Sequence, residues 1–233
     1  MTNVVLLPGM MCDDRLWAAQ TAALAAAGHS VIVADLSRGE TVAQMAAAVL
    51  TQSPGSFALA GLSMGAIVAL EVWRQAADRI NRLALLDTNP HAEQPQRREQ
   101  RAAEIQTALS GGLRDLLVGE MKPRYLATRH RNDLELRELI TTMALDLGPA
   151  VFRSQSLALR DRPDSKPMLG RIDVPTLVLC GREDDLCPLS YHLLLAESIP
   201  TADLTVLSDC GHMPPLERPD AVTHHLQHWL TRT

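Results

Sequence analysis

A serine, a histidine and an aspartate stand in this chain where their side chains could act together. Ser63 lies in Gly61-Leu62-Ser63-Met64-Gly65, between an apolar run, "FALAG", and an alanine-rich helical pattern. A serine on so sharp a turn has a strained backbone, and Gly61 and Gly65 supply the room that bulkier neighbours would take. The turn lifts the hydroxyl to a helix N-terminus, where free N–H groups and the helix dipole favour developing negative charge. A serine hydroxyl is a weak nucleophile without an adjacent base. His212, in "SDCGHMPPLERP", is the candidate base, because Gly211 and Pro214-Pro215 frame it on a loop after the last strand-like run. The orienting acid is expected at Asp184 in "CGREDDLCP", just past the strand-like "PTLVL". Asp185 beside it, and Asp87 at the end of "LALLD", stay open as alternatives. The backbone N–H of Met64, and that of Met10 in the loop "LPGMMCDDRLW", are the expected oxyanion donors.

The other histidines compare poorly. His224 and His228 are four residues apart, but "HHLQH" lacks the glutamate of H-E-x-x-H, and both point away from the stripe Val222, Leu226, Trp229 and Leu230. His29, His91, His130 and His192 have no motif around them. The four cysteines are scattered without a C-x-x-C pair, so free thiols are expected and no metal site. No cofactor motif stands in the chain.

These residues need elements to hold them. "NVVLLPG", "SVIVADL", "FALAG" and "INRLALLDT" read as strands, with helical patterns between them such as "TVAQMAAAVLT" and "MGAIVALEVWRQAA". The alternation predicts βαβ units and a parallel sheet. It stops after Asp87 and returns at "VPTLVLCG", followed by "LSYHLLLAESI", "ADLTVLS" and "PDAVTHHLQHWL". Between them, residues 91–163 carry helical patterns and proline-rich polar borders, and read as an all-helical insertion. The expected fold is therefore α/β, a doubly wound, mostly parallel sheet of about six strands with a helical cap inserted into a single domain spanning 1–233. In such sheets ligands bind beyond the carboxyl ends of the strands, where the loops holding Ser63, Asp184 and His212 fall.

Composition narrows the partners. The chain has 233 residues, 46% hydrophobic and 21% charged, with a formal net charge of −5. No basic cluster stands out, so nucleic acid is not expected. The N-terminal apolar run is too short to span a bilayer and has no cleavage signal, so the expectation is a cytoplasmic protein without a membrane partner. Nothing in the sequence assigns an oligomeric state. Met10, Met11, Met64 and Met213 stand near the candidate residues, which predicts an apolar pocket for a small, fairly apolar substrate.

Taken together, "GLSMG", "PTLVLCGREDDLCP", "DCGHMPPLERP" and "LLPGMMCDDRLW" resemble the motifs of the α/β-hydrolase superfamily, and the order Ser63, Asp184, His212 is that of its triads. The nearest likeness is to small bacterial esterases and enol-lactonase-like hydrolases. The resemblance implies a cofactor-free serine hydrolase with a helical cap, cleaving a carboxylic ester, lactone or thioester through an acyl-enzyme. It also allows C–C bond hydrolysis, haloperoxidase or perhydrolase chemistry on the same triad, or a ligand-binding protein without turnover. Pro8 stands where the family usually has the histidine of a His-Gly pair. Ala66 replaces a frequent third glycine, and the N-terminal hairpin is expected to be missing.

Overall fold

The computed structural model describes residues 1–121 and 124–232. Its centre is a sheet of six parallel strands: β1 (Asn3–Leu7), β2 (Ser30–Val33), β3 (Phe57–Leu62), β4 (Ile80–Leu86), β5 (Thr176–Gly181) and β6 (Ala202–Leu207), ordered β2-β1-β3-β4-β5-β6. The antiparallel hairpin is absent among the described residues, as expected. Parallel strands with helices on both faces read as continuous apolar runs. β3 is buried at every position, whereas the edge strands β2 and β6 are partly exposed.

Alternate residues of each central strand face opposite layers. Val5, Leu7, Leu59, Leu83, Leu85 and Val178 pack under helices α2 (Val42–Gln52) and α3 (Met64–Ala76). Val4, Leu6, Ala60, Ala84, Leu86 and Leu179 pack on the other side, with Leu24 of α1 (Ala18–Ala26) and with Leu226 and Trp229 of the C-terminal helix (Pro219–Thr231).

The order in which strands are added reverses between β1 and β3, whose carboxyl ends are paired at Leu7 and Gly61. That pairing sets the loop after β1 beside the turn after β3, at the switch point where doubly wound sheets bind ligands.

A helical cap region lies between β4 and β5. Helix α4 (Pro95–Thr107) leads into wide helical turns, and a long helix α5 (Leu134–Arg160) returns to the core. Gly148, at φ 77°, interrupts α5 just before Pro149, a residue that disfavours helical backbone in the one preceding it. Ile105, Leu113, Leu116, Leu117, Ala144 and Phe152 form the cap's own apolar cluster, and Met11 of the core is packed among them. After β5 come α6 (Leu189–Ser198), β6 and the C-terminal helix, α7.

Candidate active site

The turn between β3 and α3 places Ser63 at φ 54° and ψ −113°, outside the regions that side-chain-bearing residues prefer. The two glycines answer different steric demands. A Cβ on Gly61 would lie 2.4 Å from the Gly65 carbonyl carbon, within the turn itself. A Cβ on Gly65 would lie 2.3 Å from the Leu7 carbonyl oxygen, at the end of β1. Neighbouring strand ends hold the strained residue. Ser63 N–H donates to the Leu86 carbonyl (2.8 Å), and the Thr88 hydroxyl donates to the Ser63 carbonyl (3.0 Å).

Ser63 Oγ is 2.9 Å from His212 Nε2, and His212 Nδ1 is 2.7 Å from Asp184 Oδ2. With Nδ1–H directed at the carboxylate, Nε2 is free to accept the serine proton. Asp184 and His212 are both buried. Asp184 Oδ1 accepts the N–H groups of Leu186 (2.8 Å) and Cys187 (3.0 Å). Burial alone would raise the Asp184 carboxyl, but the facing imidazole and these hydrogen bonds bring it below its ordinary value.

The alternative acids are placed otherwise. Asp185 points outward, its side chain 68% exposed near Arg131. Asp87 is fully buried at the end of β4, with φ at 41°. Its Oδ1 accepts Gly181 N–H (2.9 Å), and its Oδ2 has no partner among the described residues. Burial and the charge of Asp184 push its carboxyl well above the ordinary value, toward the neutral acid. The Cys187 thiol beside the pair is likewise driven up by burial, which keeps it a neutral thiol rather than a thiolate ligand.

The loop after β1 turns at Met11, φ 56°. There Cys12 N–H donates to the Gly9 carbonyl and Met11 N–H to Gln155 Oε1 (2.8 Å). The Met10 N–H is left over, as is the Met64 N–H at the first position of α3; neither has a partner among the described residues. An N–H pair of this kind beside a serine can stabilise an oxyanion.

Three supports escaped the sequence reading. Glu217, inside the quoted "PPLERP", accepts Gly211 N–H (2.9 Å) and Met213 N–H (3.1 Å) at one oxygen and Ala127 N–H (2.7 Å) at the other. It therefore grips the chain on both sides of His212 and ties it to the cap. Tyr125 adds its carbonyl, which accepts His212 N–H at 2.7 Å. Gln155 of α5 braces the loop after β1 and donates to the Leu36 carbonyl. A glutamate between prolines, after a glycine-histidine pair, is the one signal in the sequence for Glu217.

The cavity above Ser63 has a volume of about 700 Å³. Met10, Met64, Ile67, Leu116 and Leu159 line it, but so do four arginines and two glutamates. The expected apolar pocket is thus corrected. Met11 packs into the cap's core and Met213 under the sheet, while the charged side chains come from the cap and the segments joining it. His224 and His228 are exposed, the four cysteines are buried, and no described helix is long and apolar enough to cross a membrane.

With a six-stranded parallel sheet, a helical cap and a serine on a strand-to-helix turn in place, the class follows. The chain belongs to the alpha/beta hydrolase family, whose sequence profile matches residues 4–224. It is 27% identical over 241 residues to a pimeloyl-[acyl-carrier protein] methyl ester esterase of Aromatoleum aromaticum, covering 94% of each chain. A thermophilic esterase from Thermogutta terrifontis, solved with malate bound, superposes with a TM-score of 0.91 at 33% identity, over 99% of this chain and 89% of that one. The enol-lactonase of Burkholderia xenovorans LB400 superposes with a TM-score of 0.85 at 26% identity, over 99% and 92%.

Proposed function

We propose that the protein is a carboxylic ester hydrolase that works through an acyl-enzyme on Ser63, with His212 as general base and Asp184 as the orienting acid. The observation that supports this most is the continuous relay Asp184 Oδ2–His212 Nδ1 (2.7 Å) and His212 Nε2–Ser63 Oγ (2.9 Å). His212 takes the hydroxyl proton as Ser63 Oγ attacks the ester carbonyl, then returns it to the leaving alcohol. Water, activated by the same imidazole, cleaves the acyl-enzyme. The Met10 and Met64 N–H groups receive the oxyanion, a contribution of about 3–4 kcal/mol per donor in serine hydrolases. Residues 91–163 act as a cap over this site within one domain spanning 1–233. The likeness to an esterase and an enol-lactonase supports esters and lactones as the substrate class.

A panel of short methyl esters, lactones and thioesters, assayed with the wild type and Ser63→Ala, tests the reading. Turnover of at least one oxygen ester or lactone is expected, with loss of at least about 10⁴-fold in kcat for Ser63→Ala. Equal turnover by the two proteins would refute it.

A further inference from the structure

The cavity above Ser63 carries more positive charge than its own carboxylates balance. Among its described lining residues are Arg97, Arg101, Arg124 and Arg162, against Glu93 and Glu104. Arg97 and Glu104 close a two-point pair at 2.5 and 2.9 Å. Arg101 and Arg162 must share Glu93. Arg101 Nε donates to Glu93 Oε2 (2.6 Å), and Arg162 reaches the same carboxylate through Nη2 (3.1 Å) and Nη1 (2.9 Å). The three side chains are only 9%, 4% and 6% exposed for Arg101, Arg162 and Glu93. Two guanidiniums on one buried carboxylate leave one positive charge out of water and unmatched, an arrangement that is costly without a further anion.

The two arginines spend their donors differently. Arg162 also donates to the carbonyls of His91 (2.9 Å) and Leu159 (2.9 Å), as a structural tie between cap and core would. Arg101 does not. Its Nη1 meets only the Met10 thioether sulfur at 3.8 Å, and its Nη2 has no hydrogen-bond partner among the described residues. A guanidinium is always charged and presents its donors as a planar fork that fits a carboxylate. Burial works against the charge on Arg101, and an anion beside it would restore the balance. Met10 sets the place of this fork in the site, since it is the residue proposed to donate its backbone N–H to the oxyanion and its side chain touches Arg101. Arg101, Met10 and Ser63 all line the same cavity.

We propose that the site selects esters or lactones whose acyl part carries a second, ionised carboxylate, and that Arg101 binds that carboxylate. This rests on the ester-hydrolase reading and names its substrate class. The apolar walls at Met10, Met64 and Ile67 hold the short chain between the two ends. Hydrolysis adds one water across the ester bond: an ester releases an alcohol and the dicarboxylate with one proton, and a lactone opens to a single hydroxy dicarboxylate with one proton.

The probes are the monomethyl half-esters of succinate, glutarate, adipate and pimelate, each against its neutral dimethyl ester, at pH 7.5. For the best-fitting length, the half-ester should exceed the diester in kcat/KM by about tenfold or more, the scale of one charge-assisted pair. Arg101→Gln should reduce that ratio by about tenfold. Calorimetric titration of Ser63→Ala protein with the same pairs reads binding without turnover, and should show the half-ester bound about tenfold more tightly. Diesters favoured at every length, or a ratio unmoved in folded Arg101→Gln, would overturn the proposal. If Arg101→Gln does not fold, the wild-type ratio and the Ser63→Ala titration decide. If neither ester is turned over, selective half-ester binding keeps the anion site while the hydrolase reading fails, and equal or absent binding removes the site.

Discussion

At the scale of single residues, two buried carboxylates share one corner of the site and differ in everything that decides their roles. Asp184 faces an imidazole and two backbone N–H groups, which favour its ionised form. Asp87 is buried beside the charge of Asp184, and both effects favour its neutral form against the single N–H it accepts from Gly181. Asp184→Asn removes the group that holds the His212 tautomer and is expected to lower kcat by about 10³–10⁴-fold. Asp87→Asn substitutes a neutral amide for a carboxyl held near neutrality and should change kcat by less than about threefold. Steady-state kinetics on one ester checks both, and the opposite ranking would move the acid to Asp87.

His192, which has no motif around it in the sequence, lies fully buried behind the turn that bears Ser63, where its Nε2 accepts the Thr88 N–H at 3.0 Å. Burial lowers its pKa from an ordinary 6.5 to about 4. The folded state therefore keeps this imidazole neutral while the unfolded chain takes up a proton below pH 6.5. Stability is full above that pH and falls as the pH drops toward 4, by on the order of 3 kcal/mol from this residue. Urea unfolding at pH 7.5 and 4.5 should show a smaller drop for His192→Gln than for the wild type. Equal drops would contradict the assignment.

At the scale of elements, the site is a matter of how closely strand ends approach. The Leu7 carbonyl terminates β1 and has no freedom to retreat from a Cβ on Gly65 2.3 Å away. Gly65→Ala should cost more than about 3 kcal/mol, beyond ordinary overpacking, or prevent folding. Gly170→Ala is the control, since its Cβ would meet nothing closer than 3.9 Å at an ordinary φ of −67°; its cost should stay below about 1 kcal/mol. Thermal melts of the pair read the difference. Glu217 works at the same scale, holding three backbone N–H groups around His212. Glu217→Ala leaves these buried donors unsatisfied, at about 1–3 kcal/mol for each that water cannot reach. It should lower kcat more than it raises KM, because it loosens His212 rather than the substrate pocket.

Over the whole molecule, what the sequence revealed and what it hid divide along one physical line. The strands were legible because β-branched runs such as "NVVLL" end at Pro8-Gly9, and the serine turn because only glycines fit beside it. The positions of Asp184 and His212 just after strands β5 and β6 were legible too, as expected of loops that follow strand-like runs. Local chemistry governs all of these. Gln155, Arg101 and Glu93 are different, because each also meets a residue far along the chain: Gln155 meets Met11 and Leu36, Arg101 meets Met10, and Glu93 meets Arg162. Arg101 stands in "PQRREQRAAEIQT", which reads as a solvated helix face, and only folding of the cap onto the core buries it against Glu93. The same folding put charge where the methionines had promised an apolar pocket. It also brings Ser63, Asp184 and His212 from the ends of three strands into one hydrogen-bonded relay, so that relay belongs to the folded chain as a whole.

Labelling with a fluorophosphonate, followed by peptide mapping, tests that relay most directly. One adduct on the Ser63 peptide is expected in the folded wild type, strongly slowed in His212→Ala and absent in Ser63→Ala or in urea. An unlabelled wild type, or Ser63→Ala labelled as fast as the wild type, would contradict the assignment of Ser63 as an activated nucleophile.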